Sequence, residues 1–389
     1  MVQSIGLTHP TLGILGGGQL GKMMCLAARR MWINTIVLDP TADCPASGVA
    51  DKLIVADFKD GKAISELAKS CDFLTYEIEL VNAKALEELE SKGLCINPSP
   101  ASLAIIQDKF LQKKYLQEKG IPVAEIKEVK SLEDLLNAAG DFGYPFVLKA
   151  SRDSYDGRGN QTIQRQGDLE NAFNFFKGRA LFAEKWVDFD KEVSIIAARN
   201  ADGQIECFPL AENHHEDNIL VYTLVPARVP EKAREKAEKL ARKVLGVFQG
   251  GGVFGIEMFV TKKGEVLVNE IAPRPHNSGH YTIEACSVSQ FEQHIRGVLN
   301  LPLAKPRLLS PVAMVNILGE ASTEGTAVLH GLKEALAING VSLHLYGKKS
   351  SRLKRKMGHL TVLDESGIKA LEKALKARSL LRMENEVLK

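Results

Sequence analysis

The sequence predicts a mixed α/β and α+β protein in three parts: a doubly wound N-terminal domain, a central α+β domain and a small β-rich C-terminal domain. Three observations predict it. A glycine-rich turn joins an apolar strand to an amphipathic helix near the N-terminus. Two glutamates fall opposite each other on a mid-chain hairpin. Beyond about residue 308 the chain changes to short strands around a basic run. With 389 residues, two or three domains are expected.

Composition narrows the class. Apolar content of 45% and charged content of 25% are those of an ordinary globular protein. A formal net charge of +2 points to neither a nucleic-acid coat nor an acidic tail. The 6 cysteines are scattered without a C-x-x-C pair, which fits reduced thiols rather than a disulfide frame or zinc site. No apolar run reaches membrane-spanning length, and the N-terminus lacks a charged-then-apolar leader pattern, so a cytoplasmic chain is expected.

Thr11–Leu15 reads as a buried strand, Gly16–Gly21 as a tight turn, and Leu20, Met23, Met24, Ala27 and Ala28 as the apolar face of the helix that follows. Thr35–Leu38 is the next strand, ending at Asp39. Gly16-x-Gly18-x-x-Gly21 with an acid after the second strand has the form of a dinucleotide fingerprint, making the domain Rossmann-like. The same glycines also suit any phosphate-binding turn, or close helix–strand packing. Alternation continues through Lys52–Val55, Asp72–Ile78 and Leu94–Ile96, and Asn97-Pro98-Ser99-Pro100 closes a domain over residues 1–107.

The central domain, 108–307, opens with Asp108 and a helix over Phe110–Lys119. A strand ending in Lys149 follows. Lys109 and Lys149 suit phosphate contacts, though a lysine at a strand end is also common on plain surfaces. Ser154–Asn160 combines two glycines with polar groups. It reads as a lid over phosphates or as a simple Asp-Gly hairpin turn, inside a lid region of about 123–190. Glu231–Val247 is an amphipathic helix.

Glu257 and Glu270 flank the turn signal Lys262-Lys263-Gly264. A two-residue loop at Lys263-Gly264 pairs Lys262 with Glu265, and counting back along the ladder sets Glu257 opposite Glu270. Opposed like charges destabilise a sheet unless a cation joins them. Two carboxylates with the adjacent Asn269 amide suit Mg²⁺ or Mn²⁺ beside nucleotide phosphates. The bland alternative is a polar hairpin edge facing water. After Glu270 come Arg274, His276, Asn277 and Ser278, a density of polar groups that is costly beside a core strand unless ligands satisfy it. The C-terminal domain, 308–389, contains Lys348–Lys356, in which 6 of 9 residues are basic. A solvated loop is the plain reading. Nucleic acid is disfavoured, because no aromatics interleave.

Taken in order, these pieces resemble the ATP-grasp superfamily and, within it, the 5-(carboxyamino)imidazole ribonucleotide synthases of purine biosynthesis. The resemblance spans about Gly13 to Leu363. It is carried by Gly16–Met23, Asp39–Ala46, Asn97–Pro100, Gln107–Lys109, Tyr155–Asn160, Glu192–Ser194, Asn269–His280, Ser289–Glu292 and Met357–His359. It implies an ATP-grasp fold with an N-terminal pre-ATP-grasp domain. ATP would be held by Lys109, Lys149, the lid residues Ser154, Tyr155, Asp156, Gly157, Arg158, Gly159 and Asn160, the adenine-pocket residues Glu184, Lys185, Trp186 and Val187, Glu192 on the ribose, His215, Asn269 and Glu270. Glu257, Glu270 and Asn269 would hold Mg²⁺. Arg274, His276 and Asn277 would be catalytic. Gln19, Leu20, Ser278, Lys348, Arg355 and Lys356 would hold the ribonucleotide substrate and its phosphate.

The implied reaction is ATP-dependent carboxylation of 5-aminoimidazole ribonucleotide by bicarbonate through carboxyphosphate, in a cytoplasmic homodimer without nucleic-acid or membrane partners. The sister reading is a formate-dependent glycinamide ribonucleotide transformylase, against which Gln19 and Asn277-Ser278 speak. An NAD-dependent oxidoreductase rests on the glycine fingerprint alone. A non-enzymatic nucleotide sensor is the third alternative.

Overall fold

The computed structural model describes residues 9–152, 159–320 and 325–386. The N-terminal segment builds a five-stranded parallel sheet in the order Lys52–Val55, Asn34–Asp39, Thr11–Leu15, Phe73–Tyr76, Cys95–Ile96. The strand order reverses between Thr11–Leu15 and Phe73–Tyr76. The glycine turn therefore sits at the switch point, where open α/β sheets bind ligands. Its helix, Gln19–Arg30, buries Leu20, Met23 and Met24 as the periodicity requires.

An antiparallel four-stranded sheet lies within the expected lid region, in the order Ile126–Val129, Leu181–Lys185, Phe146–Ala150, Asn160–Ile163. Helices Leu132–Phe142 and Leu169–Phe175 cover one face, packing Leu135, Ala138 and Leu169 against Phe146 and Leu148. Alternation in Phe146–Ala150 leaves Lys149 on the other face.

The largest sheet has nine strands. Its path runs Val266–Ala272, Gly252–Thr261, Phe189–Arg199, Ala211–Glu216, Ile219–Val225, Val312–Leu318, Lys356–Leu363, Val341–Leu345, with Ile205–Cys207 paired to Phe189–Arg199. The expected boundary at 307/308 separates chain segments but not sheets, since Ile219–Val225 pairs with Val312–Leu318. Helix Glu231–Val247 packs Ala233, Ala237, Ala241 and Val244 against Val193, Ile195, Ile256 and Met258.

Helix Gln290–Val298 sits between this sheet and the N-terminal one. Phe291 and Ile295 share a core with Leu12 and Met24. His294 joins Thr75 Oγ1 at 2.8 Å to the Val253 N–H at 3.0 Å.

Candidate active site

Glu257 does stand opposite Glu270, but by a different route from the one the turn signal suggests. Thr261 and Glu265 close the hairpin, leaving a three-residue loop, Lys262-Lys263-Gly264, with Gly264 in the left-handed region at φ +71°. That loop alone would set Asn269 opposite Glu257. A β-bulge corrects it: Met258 pairs with Val268, whereas Glu257 pairs with Glu270, so Asn269 is the extra residue. Val268 and Ile271 are buried, while Asn269 and Glu270 between them are both partly exposed. The bulge thus turns an amide and a carboxylate out together, beside a second carboxylate.

These carboxylates face cations. Lys109 Nζ lies 2.9 Å from Glu270 Oε2. Glu184 is almost fully buried and takes two lysines, Lys149 at 2.9 Å and Lys113 at 2.7 Å. Burial opposes the Glu184 charge, but the two ammonium groups outweigh it and bring its pKa down to about 2. Glu257 shifts the other way. Burial, with Glu270 and Glu192 adding to it against His215, pushes its carboxyl above the usual range.

A carboxylate raised by burial and by like charges is what a divalent cation relieves. Among the described residues no group of three or more His, Cys, Asp or Glu is arranged to hold an ion. Two carboxylates and an amide form a partial set that phosphate oxygens and water complete, as is usual for Mg²⁺.

The segment after the bulge carries the remaining polar groups. Arg274 Nε is 2.9 Å from Glu79 Oε1. His276 Nε2 lies 3.6 Å from Glu257 Oε1, and its Nδ1 lies 2.9 Å from Ser278 Oγ. Ser194 Oγ donates to Ser278 Oγ at 2.8 Å, Asn213 Nδ2 to Ser194 Oγ, and Thr223 Oγ1 to Asn213 Oδ1. Burial, reinforced by the Arg274 and Lys356 cations, holds His276 well below the usual histidine range, so it is neutral. Ser278 is fully buried in this chain of hydroxyls, which ties up its Oγ. Both polar atoms of the buried Asn277 amide lack a hydrogen-bond partner among the described residues, as expected of a group kept for a ligand.

Other expected nucleotide contacts are dispersed around this cluster. Lys185 pairs with Glu125 at 2.6 Å, Trp186 is exposed and Val187 partly buried. Glu192 Oε2 lies 2.5 Å from His215 Nδ1, a contact that outweighs burial and raises the His215 pKa. Ser154, Tyr155, Asp156, Gly157 and Arg158 lie outside the described residues. Gly159 and Asn160 are described, with Asn160 opening a strand against Lys149.

The glycine turn is already occupied by carboxylates. Gly17 N–H donates to Asp39 Oδ2 at 2.7 Å, Gly18 N–H to Glu77 Oε1, and Gly21 N–H to Glu77 Oε2 at 2.5 Å. A dinucleotide pyrophosphate needs those same N–H groups and would meet two acids there, which removes the physical basis of the NAD reading. Leu20 is core-packed, so only its main chain is left for a ligand. Lys22 Nζ donates to the carbonyls of Leu345 and Tyr346, which brings the turn to the basic run. There Lys348 donates to Lys356 O at 2.8 Å and Arg355 to Ser350 O at 3.0 Å. Lys349 and Lys354 pair with Asp43 and Asp217.

Sequence reasoning missed Lys113, Glu79 and the Ser194–Asn213–Thr223 relay. Lys113 follows Lys109 by one helical turn, but nothing local marks it as buried.

Three families match the chain: a ribonucleotide synthetase preATP-grasp domain over residues 9–107, an ATP-grasp domain over 114–291, and a phosphoribosylaminoimidazole carboxylase C-terminal domain over 312–373. The chain is 43% identical over 363 residues to the phosphoribosylaminoimidazole carboxylase of Schizosaccharomyces pombe, covering 91% of this chain but only 65% of that protein. The N5-carboxyaminoimidazole ribonucleotide synthetase structure from Thermotoga maritima matches with a TM-score of 0.89 and 50% identity, over 97% of this chain and 100% of that one. The Aspergillus clavatus N5-carboxyaminoimidazole synthase in complex with ADP and 5-aminoimidazole ribonucleotide matches with a TM-score of 0.88 and 37% identity, over 96% and 98%. With fold and sequence identity in agreement along nearly the whole chain, it belongs to the N5-carboxyaminoimidazole ribonucleotide synthase family of ATP-grasp proteins.

Proposed function

We propose that the protein carboxylates 5-aminoimidazole ribonucleotide with bicarbonate at the expense of ATP, giving 5-(carboxyamino)imidazole ribonucleotide, ADP and phosphate in purine biosynthesis. The observation that carries this reading is the segment from Glu270 to Ser278. It sets a carboxylate pair suited to a metal nucleotide beside a guanidinium, a neutral imidazole and an unpaired amide. The Aspergillus relative with ADP and the ribonucleotide bound supports the substrate assignment.

A bicarbonate oxygen bonds to the γ-phosphorus as the bond to the ADP oxygen breaks, giving carboxyphosphate. The ribonucleotide amine then bonds to the carboxyl carbon as phosphate leaves, or takes up CO₂ released from carboxyphosphate, and gives up a proton. Glu257, Glu270 and Asn269 would hold Mg²⁺ or Mn²⁺, which when bound neutralises phosphoryl charge. Lys109 and Lys149 bind phosphate oxygens as point charges. Arg274 orients bicarbonate through its planar fork, Asn277 adds its amide, and His276, kept neutral by burial and the neighbouring cations, orients the amine by hydrogen bonding. Lys348, Arg355 and Lys356, with Gln19, hold the ribonucleotide phosphate. The family resemblance implies a cytoplasmic homodimer. Among the described residues no helix is long and apolar enough to cross a membrane.

The test is phosphate release from Mg-ATP and bicarbonate, with and without 5-aminoimidazole ribonucleotide, while free amine is followed. ATP use that rises with the ribonucleotide and matches amine loss is expected. ATP use driven instead by glycinamide ribonucleotide and formate would favour the sister reaction.

The metal set is checked by Glu257→Gln. Removing one of two opposed carboxylates relieves repulsion, so the melting temperature should hold or rise. The Mg²⁺ concentration for half-maximal ATP turnover should rise by about tenfold or more. An unchanged metal requirement would take Glu257 out of the set.

A further inference from the structure

Two buried glutamines grip the main chain of the site in the same way. Gln112, 1% exposed on helix Lys109–Glu118, donates from Nε2 to Ile271 O at 3.1 Å and accepts from Ile271 N–H at 3.2 Å. Gln290, fully buried at the start of helix Gln290–Val298, donates from Nε2 to His276 O at 2.8 Å and accepts from His276 N–H at 2.9 Å. Each carboxamide meets both main-chain groups of one residue, as a strand partner does. Ile271 directly follows Glu270. His276 carries the neutral imidazole and precedes Asn277. Between the two grips lie Pro273 and Pro275, whose rings fix φ, and Arg274.

We propose that Gln112 and Gln290 are positioning residues: Gln112 sets Glu270 and the metal–nucleotide half of the site, and Gln290 sets Arg274, His276 and Asn277 for the carboxyl-transfer half. Ile271 lies on the outer strand of its sheet and pairs with Ile256 on one side, so Gln112 fills its open edge, whereas the chain beyond Ala272 has left the ladder and Gln290 takes over at His276. A side chain with coplanar donor and acceptor is the substitute. A carboxylate lacks the donor, and a methionine of similar length lacks both. Gln290 also approaches His280 Nδ1 at 3.3 Å, and His280 stacks on His359 of the C-terminal segment at 4.5 Å between ring centroids. The grip on His276 is thereby braced against the strand that starts at Lys356. This assignment of halves rests on the carboxylation proposed above.

The test uses the full chain with Gln112→Met, Gln290→Met and Gln290→Glu. Gln112→Met should raise KM for Mg-ATP about tenfold or more while amine consumed per ATP stays constant. Gln290→Met should leave KM for Mg-ATP near its wild-type value and lower the amine consumed per ATP. Gln290→Glu, with a carboxyl that burial tends to keep protonated, retains one acceptor and one O–H donor and should restore much of that coupling, increasingly as pH falls. Hydrogen exchange in peptides covering 270–280 should quicken in both Met variants.

The proposal is overturned if exchange is unchanged, if the two Met variants lose both parameters in parallel, or if only the melting temperature moves. Should Gln290→Met not fold, Gln290→Glu against wild type carries the comparison. If wild type itself consumes no amine, the carboxylation reading fails. Exchange and Mg-ATP binding by calorimetry then still decide whether the glutamines hold the segment.

Discussion

Arg274→Ala is expected to abolish ribonucleotide-dependent ATP use while Mg-ATP still binds. Arg274 is the cation set among the polar groups after the bulge, and Glu79 holds its Nε at 2.9 Å. The lysines that face Glu270 and Glu184 are untouched by the change. Loss of a preorganised group at developing charge typically costs about 10² to 10³ in rate. Arg274→Lys should recover little, because an ammonium keeps the charge but not the bidentate fork. Steady-state phosphate release measures the loss, and calorimetric titration with Mg-ATP measures what remains. Turnover of the Ala variant at the wild-type rate with bicarbonate would remove Arg274 from the mechanism.

The largest effect on stability is expected at Glu184. Its carboxylate sits between Lys113 and Lys149, and Lys113 is as buried as the acid itself. Glu184→Ala leaves two ammonium groups together with no counter-charge, a loss of about 3–5 kcal/mol by the precedent of broken buried pairs. Urea unfolding measures it. The double variant Lys113→Met, Glu184→Leu, which removes a charge of each sign, should recover most of that loss. The acid limb carries the same signature. The folded pKa of Glu184, about 2, lies below the unfolded value of about 4.3. Its contribution is therefore complete above pH of about 5 and is lost as pH falls toward 2. Glu184→Ala should flatten that part of the stability–pH curve. An unaltered acid limb would mean that the pair contributes no net stability.

Local signals were enough for the strands and helices of the N-terminal domain and for the long central helix. Strand Lys52–Val55 and helix Glu231–Val247 lie where composition and periodicity put them, because each is specified by its own residues. The hairpin is more instructive. The opposition of Glu257 and Glu270 was legible, yet the turn has three residues rather than two, and the bulge at Asn269 restores the register. Two one-residue errors cancelled. Neither is visible in sequence, because a bulge depends on what the strand packs against.

Lys113 and Gln112 were illegible for a related reason. On a helix they look like any solvated polar pair, and only Glu184 and Ile271, far along the chain, make them buried. The glycine fingerprint misled because a motif specifies a backbone turn, not its occupant. Glu77, which fills that turn, directly follows another strand, Phe73–Tyr76.

The sheet that crosses residue 307 has a consequence for inheritance. A module that ends in its own closed layers can be traded between genes. Here the strand Ile219–Val225 would be left as a bare edge if the chain stopped before Val312, and an apolar bare edge invites aggregation. The segments on either side of residue 307 are thus one folding unit, and added length is expected at termini or loops. In the longer fission-yeast relative, of which this chain covers 65%, the additional length is therefore expected to leave the shared sheet unbroken.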